Sequence, residues 1–278
     1  MRPINEKFIL MKKIFYLLLC AFILAGCALN LITGRKQLSL VKESDLWLMA
    51  VSQYNTFLKE NKVLSSGTSR DAAMVDRVGA RIANAITKYY SSEEKKSVLE
   101  GYSWEFNTID DKKVINAWCM PGGKVVVYSG LLPVTQNETA LAIVIGHEIA
   151  HSIAKHGNER MSQAMVQQMG GMALEVALAQ KPQETQDLFM STYGIGSQLG
   201  AMLPWSRQQE TEADQYGLIF CAMAGYDPRE AIPFWQRMSE TGGGSPPEFL
   251  STHPSDATRL RKLNQFMPEA LKYYTGRK

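Results

Sequence analysis

The chain has 278 residues, of which 45% are apolar and 21% charged, a composition that is typical of packed globular proteins and excludes disorder throughout. Its 30 basic and 27 acidic residues give a formal charge of +3, but residues 1–26 alone carry that excess, which leaves 26 residues of each sign in the other 252. A balanced charge does not indicate a basic surface that could bind the phosphate backbone of a nucleic acid, so we expect no nucleic-acid partner.

Residues 1–26 have the pattern of a secretory signal. A pair of lysines precedes an apolar run at 14–23, and small residues follow up to Cys27. The run is too short to cross a bilayer comfortably, because a helix rises about 1.5 Å per residue against a core of about 30 Å. A buried N-terminal helix is the alternative.

The sequence Leu24-Ala25-Gly26-Cys27 resembles the lipobox of bacterial lipoproteins, which implies cleavage before Cys27 and lipid on its sulfur. In such lipoproteins an aspartate after the cysteine favours the inner membrane, and here that position is Ala28. The resemblance therefore implies a cell-envelope protein that is anchored by lipid at the outer membrane and faces the periplasm.

The pattern of apolar residues in the remaining chain predicts an α+β fold that is mostly helical, with one small sheet. We expect a lipidated tether and N-terminal helix at 27–65, with residues 28–37 as the tether, and one domain at 66–278. Helices are predicted at 38–61, 70–90, 136–156, 158–180, 207–225, 229–240 and within 255–274, and strands at 102–109, 114–119 and 124–128. Thr135 and Glu138 have capping-box spacing, which predicts the start of a buried helix that stops at Gly157.

This apolar helix contains the sequence His147-Glu148-Ile149-Ala150-His151. Residues at positions i and i+4 share a helix face, so both imidazoles can hold one metal ion. Glu148 lies beside that ion and can accept a proton from the water that it activates. Zinc suits these donors, and we expect one Zn²⁺ per chain. An accidental pair of helix histidines is the alternative, although burying these groups without a partner would be costly.

A catalytic zinc needs a third protein ligand and an open position. His156 is five residues after His151 and points off the ligand face, so we interpret it as a polar residue at the helix end. Glu210 and Asp214 share one face of another predicted helix, whereas Glu212 should meet solvent. Glu210 is therefore the best candidate for the third ligand, and Asp214 for support of a ligand histidine. A solvated charge cluster is the alternative interpretation.

In this order, the HExxH and ExxxD sequences resemble the gluzincin zinc metallopeptidases of the CAAX-prenyl-protease, HtpX and BepA group. Further segments match the same group: Thr33-Gly34-Arg35, Gln37-Leu38, Asn116-Ala117-Trp118, Pro121-Gly122-Gly123, Gly130-Leu131-Leu132, Ser206-Arg207, Ala224-Gly225-Tyr226-Asp227-Pro228, Ser251-Thr252-His253-Pro254 and Arg259. The resemblance covers nearly all of the chain after the signal and implies a zincin-like domain around a central HExxH helix. The transmembrane helices of HtpX and the tetratricopeptide repeats of BepA are not recognisable here.

The resemblance implies Glu210 as the third zinc ligand and Glu148 as the general base. It also implies that substrate backbone binds by strand addition along an edge strand, which the hairpin pattern allows independently. The candidate residues of that strand are Asn116, Cys119, Met120 and Gly122, and candidate supporting residues are Arg207 and Arg259.

His253 follows a glycine- and proline-rich stretch at 242–247, and two interpretations of it stay open. It could take zinc's fourth position and keep the enzyme latent, then steady the oxyanion once released. Alternatively, it belongs to a His-Pro turn before the last helix.

The state of Cys119 and Cys221 also has two interpretations. They could form a disulfide in an oxidising compartment or remain buried thiols.

The sequence therefore predicts a lipid-anchored zinc endopeptidase that cleaves misfolded or stalled envelope and outer-membrane proteins, with Glu148 as general base. Its expected partners are those protein substrates, a membrane reached through the lipid, and components of an assembly machinery. The alternative is a metal-binding protein that is mainly latent and acts as a chaperone or assembly factor for outer-membrane proteins.

Overall fold

The computed structural model describes residues 26–92, 95–170, 172–195, 206–241, 247–253 and 257–276. The predicted signal, apart from Gly26, and the stretch at 242–246 lie outside the described residues. The helices are α1 (Glu43–Glu60), α2 (Arg70–Tyr89), α3 (Leu132–Thr135), α4 (Glu138–Ile153), α5 (His156–Met169), α6 (Leu174–Gln180), α7 (Pro182–Thr192), α8 (Arg207–Met223), α9 (Ala231–Glu240), α10 (Glu248–Thr252) and α11 (Ala257–Leu271). The strands are β1 (Cys27–Leu29), β2 (Lys36–Leu38), β3 (Val63–Leu64), β4 (Glu105–Ile109), β5 (Ala117–Met120) and β6 (Lys124–Tyr128). The predicted α+β class, mostly helical, is confirmed.

A four-stranded sheet in the order β3-β4-β6-β5 covers one side of the helices. β4 and β6 run parallel, whereas β5 and β6 form the predicted antiparallel hairpin, with Cys119 opposite Val125. Among the described strands, β5 therefore has a partner on one side only. Its side chains are nevertheless buried, because α4 packs against it and Met120 O accepts a hydrogen bond from Ser152.

The start of α4 differs from the predicted capping box. Thr135 ends the short helix α3, where its hydroxyl donates to the carbonyl of Leu132 at 3.0 Å. Gln136 then turns the chain with a φ of 64°, and Asn137 caps α4 by accepting a hydrogen bond from the amide of Ala140. The predicted cap at Thr135 is therefore wrong, because a left-handed residue separates two helices there.

The end of α4 also differs, since the predicted helix to residue 156 is broken. Lys155 has a φ of 53°, and a new helix, α5, begins at His156. A left-handed residue redirects the chain, so His156 and its successors do not continue the face of α4. This break decides where His156 points in the site described below.

Residues 26–38, called here the N-terminal hairpin, are docked instead of forming the predicted tether. β1 and β2 pair antiparallel, with Cys27 opposite Leu38. The Asn30 side chain donates to the carbonyl of Ala154 at 2.6 Å, and Gln37 donates to the carbonyls of Ala154 and Lys155 at 3.3 Å. The hairpin therefore supplies side-chain donors to the two carbonyls that follow the last residue of α4.

Two glycines bring the backbones of α4 and α8 into direct contact. A side chain at Gly217 would place its Cβ 2.9 Å from the backbone of His147. One at Gly146 would lie 2.9 Å from Gly217 O and 2.8 Å from Cys221 Sγ. The crossing therefore requires glycine on both helices, and it sets the distance between the HExxH residues and those of α8.

Cys119 and Cys221 are both buried free thiols, so the disulfide interpretation is wrong. Burial raises the pKa of each thiol. Within the described ranges, none of the helices combines the length and apolarity needed to cross a membrane.

Candidate metal centre

Four buried side chains, from two helices and from the residue that follows a third, converge on a single point. α4 supplies His147 and His151 one helical turn apart, α8 supplies Glu210, and His253 follows α10. One donor atom of each lies within 4.8 Å of the others, and all four residues are buried. α8 begins with a capping box formed by Ser206 and Gln209, which fixes the first turn that carries Glu210.

The separations between these donor atoms fit a tetrahedral metal site. His151 Nε2 lies 3.1 Å from both His147 Nε2 and Glu210 Oε1. His253 Nδ1 lies 3.1 Å from His147 Nε2 and 2.9 Å from Glu210 Oε1. Ligands at about 2.0–2.1 Å from a tetrahedral zinc lie about 3.3 Å from one another, so the chain's own donors suit such an ion.

Glu148 lies beside this cluster rather than within it. Its Oε1 is 3.3 Å from Nε2 of His253. The ring of His253 therefore contacts the cluster with its Nδ1 and contacts Glu148 with its Nε2. Burial raises the pKa of Glu148 well above its usual range, the charge of Glu210 adds to this, and Arg259 opposes it. The carboxylate therefore has the elevated proton affinity that suits a general base.

Glu210 is held as an anion in the same buried region. Burial favours its neutral form, but electrostatic interactions with His253, Arg259 and His147 and a hydrogen bond from His151 keep its pKa well below its usual range. Burial also lowers the pKa of His151, and it lowers that of His253 to about 4. Neutral imidazoles beside an ionised carboxylate are the protonation states that metal ligation requires.

Asp214 and Arg259 contact the candidate ligands His147 and Glu210. Asp214 Oδ1 lies 3.0 Å from His147 Nδ1, the ring nitrogen that faces away from the other donors. Arg259 donates to both oxygens of Asp214 at 2.7 and 2.8 Å and lies 3.0 Å from Glu210 Oε2. Its guanidinium also stacks over Trp235, 3.4 Å from the ring centroid. The sequence singled out both Asp214 and Arg259, and the structure places them in contact with the candidate ligands.

His156 and Glu212 also belong to the site, although the sequence prediction placed them elsewhere. His156 is fully buried, with Nδ1 2.9 Å from His151 Nδ1 and Nε2 2.9 Å from Glu212 Oε2. Burial lowers the pKa of His156, which favours its neutral form. The predictions that His156 is only a polar helix end and that Glu212 meets solvent are therefore wrong. The break at Lys155 caused the first error, because it turns His156 back toward His151.

The remaining predicted residues lie farther from the cluster. Asn116 donates to Glu248 Oε1 at 3.0 Å and accepts from the amide of Ala117, so it joins β5 to α10. β5 itself, with Cys119 and Met120, runs beside the end of α4, and Gly122 turns the hairpin with a φ of 79°. Arg207 is exposed at the start of α8, and Cys27 is exposed in β1.

Comparisons with known proteins agree with this geometry. Residues 69–267 match the sequence model of peptidase family M48. The mitochondrial metalloendopeptidase OMA1 of Saccharomyces cerevisiae is 31% identical over 207 residues, which are 72% of this chain and 57% of that protein. Its counterpart from Bos taurus is 32% identical over 268 residues, 93% of this chain and 49% of that protein. The chain thus spans about half the length of these curated relatives.

A bacterial relative matches over a shorter range. The β-barrel assembly-enhancing protease of Escherichia coli is 30% identical over 164 residues, 55% of this chain and 33% of that protein. The mitochondrial enzymes therefore match more of the chain than this bacterial relative does. This finding overturns the predicted location at a bacterial outer membrane. Lipid attachment at Cys27 stays a prediction.

Proposed function

Because this chain belongs to peptidase family M48, we propose that it is a zinc-dependent endopeptidase with Glu148 as its general base. The observation that carries the proposal is the buried convergence of His147, His151 and Glu210, with Glu148 beside them. The family as a whole is metal-dependent, and zinc is our specific choice of ion. Two imidazoles and one carboxylate form the donor set of many catalytic zinc sites.

Each protein group has a distinct task in this proposal. His147, His151 and Glu210 would hold the ion, which when bound polarises a peptide carbonyl and acidifies a water. Glu148 accepts the proton that the attacking water loses and can return it to the leaving amine. The opposite shifts in pKa of Glu210 and Glu148 suit this division, because one carboxylate stays charged and the other binds protons readily.

We further propose that His253 keeps the site closed until substrate arrives. Its two ring nitrogens contact the ligand cluster and Glu148 together, so it covers both the fourth ligand position and the base. A substrate carbonyl and a water would need the space that this ring fills. This contact also favours the latent state that the sequence suggested, in which the protein binds metal without cleaving.

The substrate class that we propose is an extended segment of an unfolded or unassembled protein. β5 lacks a strand partner on one side among the described residues and runs beside the end of the HExxH helix. An extended peptide adds to such an edge through main-chain hydrogen bonds. The candidate contact residues on this strand and its turn are Asn116, Cys119, Met120 and Gly122. The name of the E. coli relative refers to assembly of β-barrels, which is compatible with substrates of this kind.

The decisive experiment compares casein cleavage by zinc-loaded wild type and Glu148→Gln. We expect the variant to lose about 10²- to 10⁴-fold in rate, the usual contribution of general-base catalysis, while it retains zinc. Glu175→Gln is the matched control, because Glu175 is an exposed carboxylate that pairs with the exposed Lys42. Equal cleavage by wild type and Glu148→Gln would reject the assigned role of Glu148.

A second experiment tests the closing role of His253 with His253→Ala. If the ring blocks the fourth position and the base, its removal should raise casein cleavage by the zinc-loaded protein. Far-UV circular dichroism confirms that the variant is folded. An unchanged rate in a folded variant would contradict the proposal.

A further inference from the structure

We infer that His156, Glu212 and Arg35 are positioning residues that hold His151 in the tautomer required for metal binding, and thereby couple the metal centre to the N-terminal hairpin. The inference rests on the proposed function, because it takes His151 as a ligand. It concerns residues that have no direct contact with the proposed ion. Its starting point is the short chain of contacts from His151 through His156 to Glu212.

The direction of each hydrogen bond follows from the carboxylate at the end of this chain. An ionised carboxylate only accepts, so His156 Nε2 must carry the proton in its 2.9 Å contact with Glu212. A neutral imidazole carries one N–H, so His156 Nδ1 must be an acceptor. His151 Nδ1, 2.9 Å away, therefore donates to it, which leaves the lone pair on His151 Nε2.

That assignment presents the correct atom to the metal cluster. His151 Nε2 is the nitrogen that lies 3.1 Å from both His147 Nε2 and Glu210 Oε1. The hydrogen bond on the opposite ring nitrogen fixes the tautomer and orientation of a ligand histidine. His147 obtains the same effect directly from Asp214, whereas His151 obtains it through an intervening histidine.

Arg35 of the N-terminal hairpin fixes the carboxylate on which this chain depends. Its Nε donates to Glu212 Oε1 at 2.7 Å. Its two terminal nitrogens donate to the two oxygens of Glu159 at 2.6 and 2.7 Å, and Gln209 donates to the same group. One planar guanidinium thus joins α5 to α8 across Glu159 and Glu212 and holds Glu212 against His156.

The hairpin is consequently part of the metal centre's support. Asn30 and Gln37 dock it on the carbonyl of Ala154, the residue that follows α4. Arg35, in the same hairpin, donates to Glu212, the last residue in the chain of contacts that begins at His151. Loss of the hairpin would therefore remove both the guanidinium that holds Glu212 and the side-chain donors to the Ala154 carbonyl just after the HExxH helix.

The test measures zinc affinity by competition with a chromogenic chelator and follows the cobalt(II) absorption spectrum of the same proteins. His156→Leu should weaken zinc binding about 10- to 100-fold and alter the cobalt bands, as is usual when the partner of a ligand histidine is lost. His156→Gln should largely restore both, because an amide can accept from His151 and donate to Glu212 at once. A structural role alone would not distinguish Leu from Gln in the cobalt spectrum.

A second pair of variants tests the hairpin. Arg35→Met should weaken zinc binding in the same direction as His156→Leu, whereas Lys42→Met, which alters an exposed pair with Glu175, should not. Unchanged affinity and cobalt spectra in His156→Leu and Arg35→Met would overturn the inference while the proposed function stands. A wild type that bound no zinc would overturn both. Should His156→Leu fail to fold, Glu212→Gln replaces it, since its amide can donate as well as accept and no longer imposes the tautomer.

Discussion

At the scale of single residues, Arg259 is the cation on which two buried acids depend. It contacts Asp214 and Glu210, and burial of all three side chains removes the screening that water gives. Trp235 fixes the guanidinium plane from the other side. Removing one partner of a buried ion pair lowers the free energy of unfolding by much more than the intact pair contributes to it.

Arg259→Met should therefore destabilise the metal-free protein by about 3–5 kcal/mol, because it leaves two carboxylates without their cation. Urea unfolding measures this change. Arg229→Met removes an exposed pair with Asp227 and serves as the control, with no resolvable change expected. Equal stability of the two variants would show that the acids do not rely on Arg259.

The pH dependence of stability should reveal the anchored state of Glu212. Hydrogen bonds from His156 and Arg35 outweigh the effect of burial and lower its pKa to about 2. A group whose folded-state pKa is lowered stabilises the protein above the unfolded pKa and loses that contribution as pH falls toward the folded value. Urea unfolding of metal-free wild type and Glu212→Gln should therefore differ more at pH 6 than at pH 3. A difference that grew at pH 3 would contradict this account.

The residue scale also shows where prediction from sequence succeeded and where it failed. His147 with His151, and Glu210 with Asp214, were placed on common faces because each pair lies within one unbroken helix. His156 was misplaced because helical spacing was carried across Lys155, whose left-handed backbone the sequence did not signal. Arg35 was part of a matched segment, but its ion pairs depend on a tertiary contact that periodicity does not encode.

At the scale of elements, the crossing of α4 and α8 determines the geometry of the site. The sequence predicted both helices from the spacing of their apolar residues, and the observed α8 starts at the predicted residue and ends two residues earlier than predicted. Their close approach depends on Gly146 and Gly217, which leave no room for a side chain between the two backbones. The docked hairpin contacts the two residues between α4 and α5, where the chain changes direction.

Gly217→Ala should push α8 away from α4, since the new Cβ would meet backbone atoms of His147, which cannot move aside. We expect a loss of about 1–3 kcal/mol in unfolding free energy, as in other overpacked cores, and faster loss of zinc to a chelator. Gly67→Ala is the control, because its Cβ would meet only Ser65 Oγ at 3.6 Å. Zinc retention equal to wild type would show that the spacing tolerates a methyl group.

At the scale of the whole molecule, the proposed ion joins parts of the chain that are far apart in sequence. His151 and Glu210 come from two helices and His253 follows a third, and an ion that binds them in the folded state alone stabilises that state by mass action. The structure therefore suggests that folding stability and metal content are linked.

Free zinc at about 100 times its dissociation constant should add about 2.7 kcal/mol to stability, which corresponds to a rise in Tm of about 5–10 °C for a protein of this size. Differential scanning calorimetry with and without a chelator measures the shift. His147→Ala should show no such response. A zinc-dependent shift of equal size in that variant would place the ion elsewhere.

The docked hairpin has a practical consequence for expressing the enzyme. The family match starts at residue 69, and the apolar pattern likewise suggested a domain from residue 66, so a recombinant fragment beginning there would look complete. It would nevertheless lack Arg35 and the docking amides, and it would lose α1, whose Tyr54 and Phe57 pack edge-on against Trp118. We expect such a fragment to be poorly soluble and low in zinc. We expect a fragment that starts at Gly26 to be the shortest one that is soluble and binds zinc. The purified yield and the zinc content of the two fragments test both expectations.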